Sequence, residues 1–186
     1  MATFPPGEAA PARSASADLK VLCDRLLAGP SATRVLEDWS RERGLAPASG
    51  LVAHAVAGPD RPASPAMRAR LKVPPDALVR YRRVRLACGA LVLSEADNWY
   101  VPDRLTRDMN RMLETSEVPF GRVVHALAPS RQTLALRLLA GAGRPESVGP
   151  DDPLFAIEAL LLRQDGLPLC EVAEIYAGAV LGRASS

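Results

Sequence analysis

The chain has 186 residues, 48% of them apolar, and a formal net charge of +2, enough apolar material for one buried core. So small a charge, with only 4% aromatic residues, argues against a nucleic-acid binder, which needs a basic face or stacking platforms. Cys23, Cys88 and Cys170 fit neither a zinc spacing nor a complete disulfide framework, and His54 and His125 have no carboxylate or cysteine at ligand spacing, so no metal and no cofactor are expected.

Residues 1–15 are Pro, Ala, Gly and Ser with few large apolar side chains, and are expected to be a disordered tail ahead of a single domain over 16–186. The first residues lack the basic and apolar regions of a signal peptide, and no apolar run approaches the ~20 residues of a membrane span. A soluble cytoplasmic protein is expected, and the richness in Pro and Arg suits a high-GC bacterial genome. Leu19, Leu22, Cys23, Leu26 and Leu27 form one stripe of an amphipathic helix that Gly29-Pro30 ends. Ser31 can cap a second helix carrying Val35, Leu36 and Trp39, with Gly44 beyond its end.

Leu51 to Val56 reads as a short strand, and 58–65 as a loop. Residues 67–72 fit helix or loop, and Pro74-Pro75-Asp76 is a break. Leu78 to Leu86 and Leu91 to Val101 read as strands joined at Cys88-Gly89-Ala90. Pro102 stops the second, and Asp103 is the candidate cap of a helix with Leu105, Met109, Met112 and Leu113 on one face. Residues 123–127 fit helix or strand. Arg131 to Leu139 reads as a strand, 141–152 as a loop, and Leu154–Leu162 and Leu169–Val180 as a hairpin around Asp165-Gly166. The richness of that hairpin in Leu, Ile and Val predicts a central place in the sheet. Two helices, several strands with one helical interruption, and a closing hairpin predict an α+β fold with a largely antiparallel sheet.

Two kinds of residue carry candidate chemistry. Arg83 and Arg85 lie two apart on one face of their strand, flanked by Val84 and Leu86, where a buried guanidinium would need a carboxylate. Glu174, among apolar neighbours on the returning strand, is the matching acid, whereas Glu171 falls on the opposite face and is expected to meet solvent. The helix start at 31–34 exposes backbone N–H groups that favour an anion, although an ordinary helical hairpin accounts for the same pattern.

A strand with an arginine, a strand ending at Pro102, a helix ending at Leu113, the turn Pro119-Phe120-Gly121-Arg122 and the final hairpin with Glu174 together resemble the chorismate pyruvate-lyase family. The resemblance implies a chorismate lyase-like fold, shared with effector-sensing domains of bacterial regulators, with a ligand enclosed between sheet and helices. It implies elimination of pyruvate from chorismate to give 4-hydroxybenzoate, a ubiquinone precursor, without a cofactor. Arg83 would fix the ring carboxylate with the amides of Ala32 and Phe120, Glu174 would contact the ring hydroxyl, and Arg85 or Arg122 would meet the enolpyruvyl carboxylate. Phe120 stands where family members often carry Leu, and Asn98-Trp99-Tyr100 alters one pocket wall. The alternative implied by the same fold is a non-catalytic domain binding an aromatic or carboxylate ligand. The first 80 residues contain no basic recognition helix, so a transcription factor is not expected, and oligomeric state is left open.

Overall fold

The computed structural model describes residues 14–45 and 50–182. In chain order these form α1 (Ala15–Ala28), α2 (Ala32–Glu42), β1 (Leu51–Ala55), α3 (Pro65–Arg70), β2 (Arg80–Cys88) and β3 (Leu91–Tyr100). There follow α4 (Arg107–Thr115), α5 (Phe120–Val123), β4 (Ser130–Leu138), β5 (Pro153–Leu162) and β6 (Pro168–Ala177). The strands make one antiparallel sheet in the order β1-β2-β3-β6-β5-β4. The fold is α+β, as the pattern predicts, and β5 and β6 both lie inside the sheet. Between β3 and β4 the chain runs through α4 and α5 from the middle of the sheet to its far edge. Gly89 and Gly166 turn the two hairpins at φ +59° and +78°, a region that costs a side chain but not glycine.

Strand alternation sorts the sheet into two faces. One carries Val84, Ala96, Ile157, Val172 and Tyr176 into the main core, where Leu19, Leu22 and Leu26 of α1, Leu36 and Trp39 of α2, and Met109 and Leu113 of α4 join them. Trp39 Nε1 donates to Val180 O at 2.7 Å, tying α2 to the last turn of the chain. The other face is half covered, by α3 and the loops beside it, through a smaller cluster of Leu71, Trp99, Val101 and Leu160.

Several local expectations shift. Thr106, not Asp103, caps α4: Pro102–Arg104 winds into a 3₁₀ turn first, and the Thr106 hydroxyl accepts from Met109 N at 3.2 Å. Ser64 and Pro65 resolve 67–70 as part of α3, since the serine caps it and proline suits a first helical position, and Leu71-Lys72 turns out of the helix. Residues 120–127 become α5 and a 3₁₀ turn. The last strand ends at Ala177, because Gly178–Leu181 curls into a 3₁₀ turn against the 149–152 turn. Leu27 is exposed rather than part of the α1 stripe. Glu171 is on the face expected but is buried, its carboxylate taking Arg70 Nε at 2.9 Å and Nη2 at 2.6 Å. The tail expected over 1–15 lies outside the described residues up to 13. Ser14 and Ala15 belong to α1, with Ala15 buried.

The core also holds acids that must stay neutral. Burial pushes the Cys23 thiol from 9.0 up to about 11, and it raises Cys170 and Tyr176 as well, Glu174's charge adding to both. In the unfolded chain these groups ionise near 9.0 and 10.0, whereas in the fold they keep their protons. Their contribution to stability is therefore complete below about pH 9 and declines as pH rises past it. Urea midpoints should fall between about pH 8 and about pH 10.5, and a flat profile would contradict this account.

Candidate functional site

A small hollow lies on the core face of the sheet, under the start of α2. Serine at the cap of α2 leaves the amides of Ala32 and Thr33 without an intrahelical acceptor, since the Ser31 side chain takes only Arg34 N, at 3.4 Å. The start of α5 approaches so closely that a side chain at Gly121 would stand 2.8 Å from Thr33 Oγ1 and 2.9 Å from Ser31 Oγ. A side chain there would have to displace those hydroxyls, and the absent Cβ lets the Pro119-Phe120-Gly121-Arg122 turn pack against the first residues of α2. The floor is built from β2, β3 and β6: Val84, Ala96, Asn98, Val172 and Glu174.

Arg131 closes this hollow. It enters from the edge strand β4, opposite Leu161, and reaches across β5 to Glu174 on β6. Glu174 Oε2 accepts from Arg131 Nη2 at 2.5 Å and from the Tyr176 hydroxyl at 2.9 Å. The side chains of Arg131 and Glu174 are 3% and 6% exposed. Burial opposes the arginine's charge, but the carboxylate of Glu174 and its hydrogen bond outweigh it and hold the guanidinium pKa above its usual value. Arg131 Nε, also buried, has no acceptor. The remaining cavity is about 40 Å³. At the ~10–15 Å³ that one water requires, it holds about three water-sized groups, the size of a carboxylate and not of a ring.

A second hollow of about 670 Å³ lies outside it, on the flank of α2 and α5, and shares Ser31, Thr33 and Gly121 with the inner cavity. Arg34, Arg41, Arg122 and His125 line this outer cleft with Glu37 and Asp38. Arg122 is ion-paired with Glu37, and Arg41 Nη1 bonds Asp38 Oδ1 at 2.8 Å.

The residues expected to form the site divide accordingly. Ala32, Phe120 and Glu174 line the inner cavity together. Arg122 stands in the outer cleft. Arg83 and Arg85 do not bond Glu174, and the expected pairing of Arg83 with Glu174 is corrected, although Arg83 and Glu174 both line a hollow of about 370 Å³ with Arg61, Glu95 and Asp97. Both arginines lie on the opposite face and bond Glu95, from Arg83 Nε at 2.7 Å and Arg85 Nε at 3.2 Å, with side chains 33% and 55% exposed. The physical reason is alternation: sequence neighbours of Val84 and Leu86 point away from the core that those residues enter. Replacing Arg83 by alanine should therefore cost at most about 1 kcal/mol in urea unfolding, the range of a solvent-accessible pair, and a loss of several kcal/mol would show a buried role.

On the core face itself the strand presents Arg82. Its Nη2 donates to the carbonyls of Ser116 and Val118 at 3.3 and 3.4 Å, pinning the link between α4 and α5 that presents Phe120. Burial lowers its pKa, and Nη1 is buried without an acceptor. Arg82 and Arg131 are the cations that sequence reasoning passed over. For Arg82 the signal was present, since it shares a face with Val84 and Leu86. For Arg131 the pairing of β4 with β5 was required.

No protein-family model matches the chain. Among solved structures the effector domain of PhnF from Mycobacterium smegmatis superposes with a TM-score of 0.55 at 15% identity, over 80% of this chain and 89% of that one. PhnF itself gives 0.55 at 14% identity, over 80% of this chain and 64% of that one. The possible transcriptional regulator YydK of Bacillus subtilis gives 0.47 at 13% identity, over 68% and 57%. This chain thus spans less than two thirds of the last two. At these identities the likeness is one of fold: the chorismate lyase-like fold of GntR-family effector domains. In sequence, the uncharacterized protein y4mC of Sinorhizobium fredii (strain NBRC 101917 / NGR234) is 44% identical over 181 residues, covering 90% of this chain and 76% of that protein. The chain belongs to the family of that Sinorhizobium protein.

Proposed function

We propose that the protein binds a small-molecule acid, with the ligand's carboxylate in the inner cavity and its body directed into the outer cleft. The carrying observation is Arg131, a buried guanidinium whose Nε has no acceptor, lining a cavity that the first residues of α2 also line. A carboxylate there replaces missing hydrogen bonds rather than competing with existing ones, and bonds to an ionised acceptor are the stronger kind. Glu174 adds an acceptor at the cavity wall, suited to a hydroxyl on the ligand. The solved effector domain of PhnF, of the same fold, supports the same reading.

Calorimetric titration with benzoate, 4-hydroxybenzoate and chorismate tests it. The decisive variant is Ala32→Pro. Residue 32 is the first of α2, where proline is tolerated, and Ser31 before it is already extended at φ −147°, ψ 117°. The change deletes one N–H and fills part of the cavity while leaving the helix start intact, so binding should be lost with little change in Tm. Equal affinity in the variant and the parent would remove these amides from the site, and silence from all three acids would overturn the reading. The chorismate arm, followed by chromatography for pyruvate and 4-hydroxybenzoate, reads lyase chemistry as well. Turnover would assign Glu174 a catalytic part, whereas binding without turnover leaves ligand sensing.

A further inference from the structure

We infer that the inner cavity takes a head group offering one hydrogen-bond donor beside one acceptor, so that an acid enters with a proton shared between its carboxyl and Glu174; this rests on the acid-binding reading above. Charge gives the first reason. Arg131 and Glu174 already pair at 2.5 Å, and the other groups lining the cavity, from α2, α5, β2, β3 and β5, are uncharged. A bare carboxylate would add a second negative charge to a space already balanced at zero. In about 40 Å³ it would also lie against Glu174, with no room for water to screen the repulsion. Two carboxylates confined around one cation lower their energy by holding one proton in common.

Hydrogen bonding gives a second and independent reason, because the cavity holds acceptors without donors as well as a donor without an acceptor. Both bonds to Glu174, from Arg131 Nη2 and the Tyr176 hydroxyl, fall on Oε2, which leaves Oε1 for a ligand. Asn98 is 4% exposed and lines the floor. Its Nδ2 donates to the carbonyls of Arg82 and Ala96 at 3.3 and 3.5 Å. Among the described residues its Oδ1 meets only the Cys170 thiol, at 4.0 Å, and that thiol's single proton is committed to Glu171 O at 3.2 Å. Arg131 Nε is the unmatched donor. A bare carboxylate would satisfy Arg131 and leave both acceptors empty, whereas a carboxyl with its proton, or a primary carboxamide, satisfies both kinds at once. The hydroxyl that Glu174 receives is then the acid's own. Besides Arg131, the titratable groups facing Glu174 are Tyr176 and Cys170 on its own strand, and burial keeps both protonated. Neither supplies a positive charge, so the shared proton comes from solvent and returns there on release.

Calorimetric titration of the intact protein with benzoate and with benzamide, its carboxamide analogue, tests this in buffers that differ in ionisation enthalpy. Benzoate should take up about one proton per molecule bound, and its affinity should fall about tenfold per pH unit between about pH 6 and about pH 8. Benzamide brings its own donor, so it should take up none and bind with a flat profile. Glu174→Gln puts an amide N–H of the protein where the shared proton lay. Benzoate should then lose both the proton uptake and the pH dependence, while benzamide weakens about tenfold, the effect of one hydrogen bond left unmade. A purely structural glutamate would weaken both ligands alike, which would overturn the inference. If the variant does not fold, the proton count in the parent alone decides. Benzoate bound without proton uptake and at constant affinity would overturn this inference and leave the acid-binding reading standing. Binding of neither ligand would overturn both.

Discussion

Arg131→Ala should destabilise the fold by about 3–5 kcal/mol, the range found when one partner of a buried ion pair is removed and the other stays behind. Glu174 would then be a carboxylate 6% exposed, deprived of the one cation it pairs with among the described residues and left with the Tyr176 hydroxyl. Arg83→Ala, which breaks a solvent-accessible pair, should cost far less. The double variant Arg131→Met/Glu174→Leu removes both charges and replaces them with apolar volume, so it should recover much of the loss. Urea unfolding of the parent, Arg131→Met, Glu174→Leu and the double variant closes a cycle that separates the coupling from the desolvation of each group. A single-variant loss below about 1 kcal/mol would mean that water reaches Glu174 once the arginine is gone. Recovery of stability without recovery of acid binding in the double variant would mark the pair as a functional installation rather than a structural need.

Gly178→Ala is expected to be nearly as damaging for a purely steric reason. A Cβ there would stand 2.0 Å from Gly149 O and 2.6 Å from Val148 Cγ1. The obstacle is backbone and has little room to withdraw: Gly178 N donates to Asp152 O and Ala179 N to Pro150 O, both at 2.8 Å, binding the two segments together. Relief requires breaking those bonds or displacing the end of β6, for about 3 kcal/mol, at the upper end of overpacking costs. Gly143→Ala is the control, since nothing lies within 4 Å of the added carbon. Similar Tm values for the two variants would show that the 149–152 turn yields easily. Because Tyr176 lies two residues before Gly178 and bonds Glu174, a displaced strand end should also weaken acid binding.

The inner site explains why the fold likeness does not by itself carry the chemistry of the family the sequence resembles. The helix start at Ser31, the glycine turn after Pro119 and the glutamate of the last hairpin converge as that resemblance implies, whereas the cation beside the glutamate comes from another strand. Its guanidinium reaches across β5 and, with the α2 amides, leaves room for little more than a carboxylate. On the proposed acid-binding reading, ligand identity would be governed by how the body of the acid leaves the cavity, which makes Thr33, Gly121 and Arg34 the places where specificity should change on substitution.

Much of this architecture follows from local chemistry. Ser31 caps α2 because its hydroxyl satisfies an end amide, and Gly166 turns the last hairpin because no side chain accepts φ +78° cheaply. The apolar runs of β5 and β6 must lie inside a sheet because both faces are apolar. These signals act within a few residues, so the sequence by itself determined the α+β order and the central hairpin, whereas the convergence of Ala32 and Phe120 toward Glu174 is what the family resemblance implies. The arginine was a different matter. Arg82 and Arg83 are adjacent, and which of them enters the core depends on the face of β2, which Val84 and Leu86 set by packing in regular register against β3. Arg131 meets Glu174 only because β4 pairs with β5 and β5 with β6, contacts between residues 43 apart in sequence that no local pattern encodes. Tertiary pairing alone decided which cation the glutamate holds, since a guanidinium spans several ångströms and many arginines in this chain satisfy the local requirements equally.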